Sequence, residues 1–271
     1  MKVAALQMVS RPDVARNLVT ARQLLSQASD AGAELVVLPE YFCLLGHKDT
    51  DKLALAEMDG YGPLQDFLSR CAQDFKLWIV GGTIPICGNE TGKVYNSTLV
   101  FNPLGQCVAR YNKMHLFCYD NGTESYDESR VLVPGKDPVT FDLPSSDGHM
   151  WRVGLSICYD PRFPELYRAL ARSGANLLLV PSAFTHTTGQ AHWEVLLRAR
   201  AIENLAYVLA AAQGGLHENG RRTWGQSMVV DAWGRVMAQQ ADGPGVVLAD
   251  IDKAKLVAQR LQLPALAHRI L

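Results

Sequence analysis

An α/β layered fold is what this chain of 271 residues predicts, and three observations predict it. Runs rich in Val, Leu and Ile alternate with stretches of helical periodicity, as sheets covered by helices require. The second half repeats the outline of the first. The length lies near the upper limit for one hydrophobic core, so a single domain spanning residues 1–271 is predicted.

The elements follow in order. Met1 to Met8 reads as a first strand, because Gln7 and then Arg11-Pro12 interrupt an apolar stretch too short for a signal peptide. From Asp13, a good N-cap, Val14, Leu18, Ala21, Leu25 and Ala28 recur at helical spacing until Gly32 stops the helix. A strand from Leu35 to Leu38 ends at Glu40. Leu64, Leu68, Cys71 and Phe75 mark a second helix, followed by L-W-I-V-G-G-T-I as one strand. Y-N-S-T-L-V-F and C-V-A-R-Y flank N-P-L-G, a hairpin signal. The second half then offers strand V-G-L-S-I-C, helix P-E-L-Y-R-A-L-A-R-S with Gly174 after it, and strand N-L-L-L-V-P-S. A long helix carrying Trp193, Leu197, Ala201 and Leu205 leads into Y-V-L-A-A-A-Q. Q-S-M-V-V-D and R-V-M-A-Q form a hairpin around A-W-G, and G-V-V-L-A-D-I-D is the last strand. The tail 253–271, with Leu261, Leu263, Leu266 and Ile270, is more apolar than a free terminus and is expected to pack on a partner subunit.

Twenty-six basic and twenty-seven acidic residues leave a net charge of -1 with no long run of either sign, which argues against nucleic acid or a lipid surface. No stretch approaches membrane-spanning length. The six cysteines, at 43, 71, 87, 107, 118 and 158, include no C-x-x-C pair, and most, Cys71 and Cys107 among them, lie in apolar segments as small hydrophobes do. A reducing cytoplasm without disulfides is the expectation. His47, His115, His186, His192 and His217 lack metal-ligand spacing, so neither metal nor cofactor is expected.

Three segments running off apolar stretches carry the chemistry: L-V-V-L-P-E at Glu40, R-Y-N-K-M-H-L-F at Lys113 and V-G-L-S-I-C-Y-D at Cys158. Together they supply a base, a cation and a thiol, the requirements of acyl transfer through a thioester. Cys158 falls on a sharp strand-to-helix turn whose backbone N–H groups can lower a thiol's pKa and donate to an oxyanion. Glu40 leaves its strand where α/β folds place ligand chemistry. Each has a bland alternative: a core cysteine, a solvated loop acid, a lysine snorkelling past Met114, Leu116 and Phe117. Two rival motifs fail, since G-x-S-x-G has Cys158 where Gly is required and C-x5-R has Pro164 where Arg is required.

In this order and with these flanks, Glu40, Lys113 and Cys158 resemble the Glu-Lys-Cys triad of the nitrilase, or carbon-nitrogen hydrolase, superfamily. The resemblance runs from A-A-L-Q-M to G-V-V-L-A-D-I-D and includes C-Y-D-P-R-F-P-E-L-Y-R and W-G-Q-S-M-V-V-D-A-W-G. It implies an αββα sandwich, paired through helical faces into an αββα-αββα homodimer or a higher oligomer. It also implies that Glu40 takes the thiol proton and that Lys113 and the Tyr159 backbone N–H stabilise the oxyanion. A second glutamate is common in the superfamily; Glu128 matches best by its E-S context, with Glu124 as the fallback.

Arg162, four residues past the nucleophile, resembles the residue that relatives acting on 2-oxoglutarate-type amides use to bind a carboxylate; its alternative is an ion pair with Glu165. Phe184, Thr185, Thr187 and Thr188 fall after the next strand and either line the same mouth or cap the long helix. The segments F-x-Y-D-N-G-x-E-S-Y-D-E-S-R and T-G-x-A-H-W-E-V-L-L-R-A-R-A-I-E-N look most like deaminated glutathione amidases, which release 2-oxoglutarate and cysteinylglycine. The resemblance therefore implies a small-molecule amide substrate carrying carboxylates. An ω-amidase of 2-oxoglutaramate is the close alternative, and a catalytically silent binding relative is the alternative of another class.

Overall fold

In a computed structural model, which describes residues 1–270, strand β1 (Lys2–Gln7) leads through helix α1 (Val14–Asp30) to β2 (Leu35–Val37). Helix α2 (Pro63–Phe75) leads to β3 (Trp78–Val80), β4 (Ile84–Cys87), β5 (Val94–Phe101) and β6 (Cys107–Asn112). After a small hairpin, β7 (Cys118–Asp120) and β8 (Ser125–Asp127), come β9 (Thr140–Pro144), β10 (Met150–Leu155), α3 (Pro164–Arg172) and β11 (Leu177–Ser182). Helix α4 (His186–Asn204), β12 (Tyr207–Ala212) and a second small hairpin, β13 (Gly214–Leu216) and β14 (Arg222–Trp224), follow. Then β15 (Ser227–Val230), β16 (Val236–Gln240), β17 (Gly245–Asp250) and α5 (Lys253–Gln262) complete the described chain.

One sheet runs β17-β1-β2-β3-β5-β4, with β6 also on β5, and the other runs β16-β15-β12-β11-β10-β9. Side chains alternate across each strand. Val3, Ala5, Leu35 and Val37 enter the core cluster shared with Leu155, Leu179 and Val208 of the second sheet. Their neighbours Ala4, Leu6, Val36 and Leu38 pack with Ala21, Leu25, Leu64 and Leu68 of α1 and α2. Leu166 and Leu170 of α3 and Trp193 and Leu197 of α4 join the other sheet's core. The layers are therefore αββα.

Local chemistry explains the elements. Asp13 accepts from Arg16 N and caps α1, Pro63 opens α2, and Pro164 opens α3. The segment expected as one strand, L-W-I-V-G-G-T-I, is broken into β3 and β4. Gly82 adopts φ +52°, and a Cβ there would lie 2.1 Å from Pro39 O, so the chain turns against the Pro39-Glu40 bend where only glycine fits. Cys107 is a second correction: with Cys87 and Cys118 it is exposed, whereas Cys43, Cys71 and Cys158 are buried, and all six are free.

The last strand does more than close the chain, since β17 pairs antiparallel with β1 along its length and ties the end to the beginning. The tail after it divides. Leu256 of α5 is fully buried in the chain's own core, and Arg260 donates to Leu205 O and Ala175 O. Leu261 and Ile270 are exposed, and Leu271 lies outside the described residues.

The β3–β4 break makes a stability prediction. Gly82→Ala adds a clash with backbone to left-handed strain, whereas Gly92→Ala, at φ +79° with nothing within 4 Å, adds strain alone. The first variant should lose at least ~2 kcal/mol more than the second, or about 4–8 °C in Tm by thermal unfolding. Equal losses would show that the close approach to Pro39 is not what requires glycine.

Candidate active site

Parallel pairing gathers the site. β1, β2 and β3 run parallel in one sheet and β10, β11 and β12 in the other, so their carboxyl ends meet along one edge of the sandwich. Glu40 follows β2, Cys158 follows β10 and Ala183 follows β11. β6, two antiparallel pairings removed from β3, runs the same way and delivers Lys113 to that edge.

Glu40 is 1% exposed and Lys113 is fully buried. Glu40 Oε1 accepts from Lys113 Nζ at 3.0 Å and from Asn96 Nδ2 at 2.8 Å, while Oε2 accepts from Ala183 N at 3.0 Å. The Cys158 thiol lies close enough to Glu40 for each to shift the other's proton affinity. Lys113 Nζ reaches Glu128 as well, at 2.9 Å from Oε1 and 2.7 Å from Oε2. Tyr41 OH donates to Glu128 Oε1 at 2.8 Å and Phe117 N to Oε2 at 2.7 Å. Of the two candidate glutamates it is Glu128 that contacts Lys113; Glu124, on the β7–β8 hairpin, accepts from the exposed Thr187 hydroxyl at 3.3 Å.

The turn holding the thiol is strained and braced. Cys158 adopts φ +48°, a left-handed conformation that non-glycine residues avoid, and its N–H donates to Pro181 O at 3.0 Å. Buried Asp160 braces it. Its Oδ2 accepts from Ile157 N and Tyr111 OH, both at 2.7 Å, while Oδ1 accepts from His115 N at 3.2 Å and lies 2.7 Å from His115 Nδ1. One carboxylate thereby ties the Cys158 turn to residues on both sides of Lys113. Among the described residues no acceptor engages the Tyr159 N–H, which leaves that donor available beside the thiol.

Burial sets the protonation states. Burial and the Glu40 charge push the Cys158 thiol well above its ordinary value, which corrects the expectation that the turn would lower it. Burial also raises the Glu40 carboxyl; Lys113 opposes this and the Glu128 charge adds to it. Burial would raise Glu128 too, yet Lys113 and Lys52 hold it below the usual carboxylate range. Lys113 would be lowered by burial alone, but Glu128 and Glu40 drive it well above its ordinary value. The resting state is thus a neutral thiol beside a base, with a permanent cation pinned by a permanent anion. That arrangement can move a proton from sulfur to carboxylate as attack proceeds.

A narrow cleft opens over Cys158, walled by Phe117, Tyr159, Phe184 and Thr188, with Arg162 at its side. Arg162 has no bond to Glu165; its guanidinium lies over the Tyr159 and Phe184 rings and 3.2 Å from His192 Nδ1. Thr185 lines the cleft and caps α4 by accepting from Thr188 N, so both readings of that threonine hold. Thr187 is a correction: it faces solvent and does not line the cleft. Asn96, Tyr41, Asp160 and Gln213, whose amide donates to Glu40 O at 3.0 Å, were not singled out from sequence. The signal for Asn96 was a polar side chain inside the apolar run of β5. Among the described residues no group of three or more His, Cys, Asp or Glu side chains is placed to hold a metal ion.

A family model described as carbon-nitrogen hydrolase matches residues 2–260. The chain belongs to the carbon-nitrogen hydrolase family. As a carbon-nitrogen hydrolase it acts on carbon–nitrogen bonds of amides. It is 44% identical to a deaminated glutathione amidase of Synechocystis sp. over 270 residues, covering 98% of this chain and 97% of that one. It is 42% identical to the Homo sapiens deaminated glutathione amidase over 274 residues, covering 98% and 81%. The crystal structure of Saccharomyces cerevisiae Nit3, described as a member of branch 10 of the nitrilase superfamily, superposes with a TM-score of 0.87 at 33% identity over 100% of this chain and 97% of that one. The αββα layers are thus those of the nitrilase fold.

The charge arrangement predicts a pH profile. To serve as a base Glu40 must be unprotonated, so with Glu40 in that role kcat/KM should fall as pH drops through a value above the usual carboxylate range. Glu128→Gln removes a like charge that raises Glu40; the residual activity should keep its acid limb but at lower pH. An unmoved or upward-shifted limb would sever Glu128 from the base.

Proposed function

We propose that this carbon-nitrogen hydrolase cleaves the 2-oxoglutaramyl amide of deaminated glutathione, giving 2-oxoglutarate and cysteinylglycine. The observation that carries the reading is Arg162, a guanidinium beside the Cys158 cleft with no carboxylate partner among the described residues and a fork suited to a substrate carboxylate. The relatives named as deaminated glutathione amidases support the same substrate.

The reaction then runs in two halves. Glu40 takes the Cys158 proton as sulfur attacks the amide carbonyl, and the oxyanion forms against Lys113 Nζ and the Tyr159 N–H. Glu40 returns its proton to the nitrogen, the C–N bond breaks, and the dipeptide leaves as an amine. Water, deprotonated by the same carboxylate, attacks the thioester; the carboxylic acid departs and the thiol regains its proton. Glu128 is the positioning group, holding Lys113 through both carboxylate oxygens. Phe184, Thr185 and Thr188 are the substrate-binding wall. Six free cysteines suit a reducing compartment, here taken to be the cytoplasm. The exposed apolar end of the tail is the part left to contact a second copy in a homodimer; unchanged size after its deletion would remove that role.

Rates of 2-oxoglutarate release from deaminated glutathione and from 2-oxoglutaramate, assayed in parallel, test the reading. The tripeptide should be preferred, Cys158→Ala should abolish release, and Lys113→Met should cost about 10²–10³-fold in kcat. Arg162→Met should raise KM for both substrates by about 10–100-fold, the worth of one charge-assisted hydrogen-bonded contact. Preference for 2-oxoglutaramate would make the protein an ω-amidase. No release from either would favour a silent binding relative.

A further inference from the structure

Three cations lie near the reactive centre, each held over an aromatic ring and, among the described residues, none within hydrogen-bonding distance of a carboxylate. Arg162 lies over Tyr159 and Phe184. Lys52 Nζ lies 4.6 Å above the Tyr41 ring and 3.5 Å from its hydroxyl, and among the described residues it makes no ion pair. Arg221, in the β13–β14 turn, lies 5.1 Å above the Tyr126 ring; its nearest acid, half-exposed Asp49, is 3.9 Å away, beyond a hydrogen bond. Lys113 faces both buried carboxylates and Lys52 helps hold Glu128 as the anion, so Arg162 and Arg221 are not needed to balance them.

Their placement is directional. Tyr159, Phe117 and Tyr126 form a row, with ring centroids 5.2 Å and 5.7 Å apart, and Phe117 in the middle both walls the Cys158 cleft and donates its N–H to Glu128. Arg162 stands at one end of this row and Arg221 at the other. Lys52 and Arg221 approach closely enough to feel each other's charge and share Asp49. Phe117 stands between the Cys158 cleft and the Tyr126 ring, so the row leads away from the thiol toward Arg221.

We infer that Arg221, with Lys52 beside it, binds a second carboxylate carried on the leaving-group side of the substrate, opposite the acyl-side carboxylate at Arg162. The inference rests on the amidase reading above and deepens it: the preferred substrates are dianions with a carboxylate at each end, and the distal one lies two residues past the scissile nitrogen, at most ~7 Å of extended chain. Cation–ring contacts keep both distal cations extended and partly desolvated, which strengthens the contact with an arriving anion.

Arg221 is the residue to change, because Lys52 also contacts Tyr41 and through it Glu128. The test compares deaminated glutathione with its C-terminal glycinamide, identical except for the distal charge, and with 2-oxoglutaramate. The native protein should favour the acid over the amide by about tenfold in kcat/KM; Arg221→Met should erase that ratio through KM, and Arg221→Lys should restore part of it. Calorimetric binding to Cys158→Ala and to Cys158→Ala/Arg221→Met should show the same loss for the acid and none for the amide. A native protein indifferent to the distal charge, or an Arg221→Met variant that loses acid and amide alike, would overturn the inference while leaving the amidase reading intact. Failure of that reading would show separately, as absence of 2-oxoglutarate release from every substrate.

Discussion

Everything at the site depends on burying two carboxylates against one lysine. An ammonium with no exposed surface is tolerable only if its charge and its donors are satisfied, and Lys113 meets that condition by reaching Glu40 and both oxygens of Glu128. The excess negative charge makes the two glutamates unequal. Glu128, bonded by Tyr41 and the Phe117 N–H and faced by Lys52, remains the anion. Glu40, more deeply buried and repelled by Glu128, is raised. Two chemically identical side chains thus differ in proton affinity because their surroundings differ.

The thiol obeys the same logic. A standing thiolate would add a third negative charge to a buried cluster, so the resting Cys158 is held as the thiol. Geometry substitutes for a lowered pKa. The left-handed backbone at Cys158 and the four contacts made by Asp160 fix the sulfur near Glu40 without substrate. Such strain persists only where the surroundings over-determine it, as the bonds from Ile157, Tyr111 and His115 do here. Positive charge is distributed differently: outside the triad, Arg162, Lys52 and Arg221 rest on aromatic rings.

Much of this was legible in the chain because it is local. Strand ends, Pro-initiated helices, the Asp13 cap and the hairpins around N-P-L-G and A-W-G follow from side-chain period and turn chemistry, and they recur in the structure at nearly the expected residues. The triad residues stand out because a base, a cation and a thiol each end an apolar run. Where reading by position failed, a long-range contact had intervened. The break between β3 and β4 exists because Pro39 O, distant in sequence, approaches Gly82. Thr187 shares the first turn of α4 with Thr188 but turns outward to Glu124.

By itself the sequence determined the layered α/β class, the order of elements and the three chemical groups, since each depends on neighbours within a few positions. Only the tertiary structure decided how those groups act. The choice of Glu128 over Glu124, the upward shift of the thiol, the support from Asn96 and Asp160 and the row linking Arg162 to Arg221 all arise where the ends of two sheets meet. Burial and charge there are set by residues far apart along the chain. Electrostatic energies depend on distance and desolvation in space, and a one-dimensional pattern records neither.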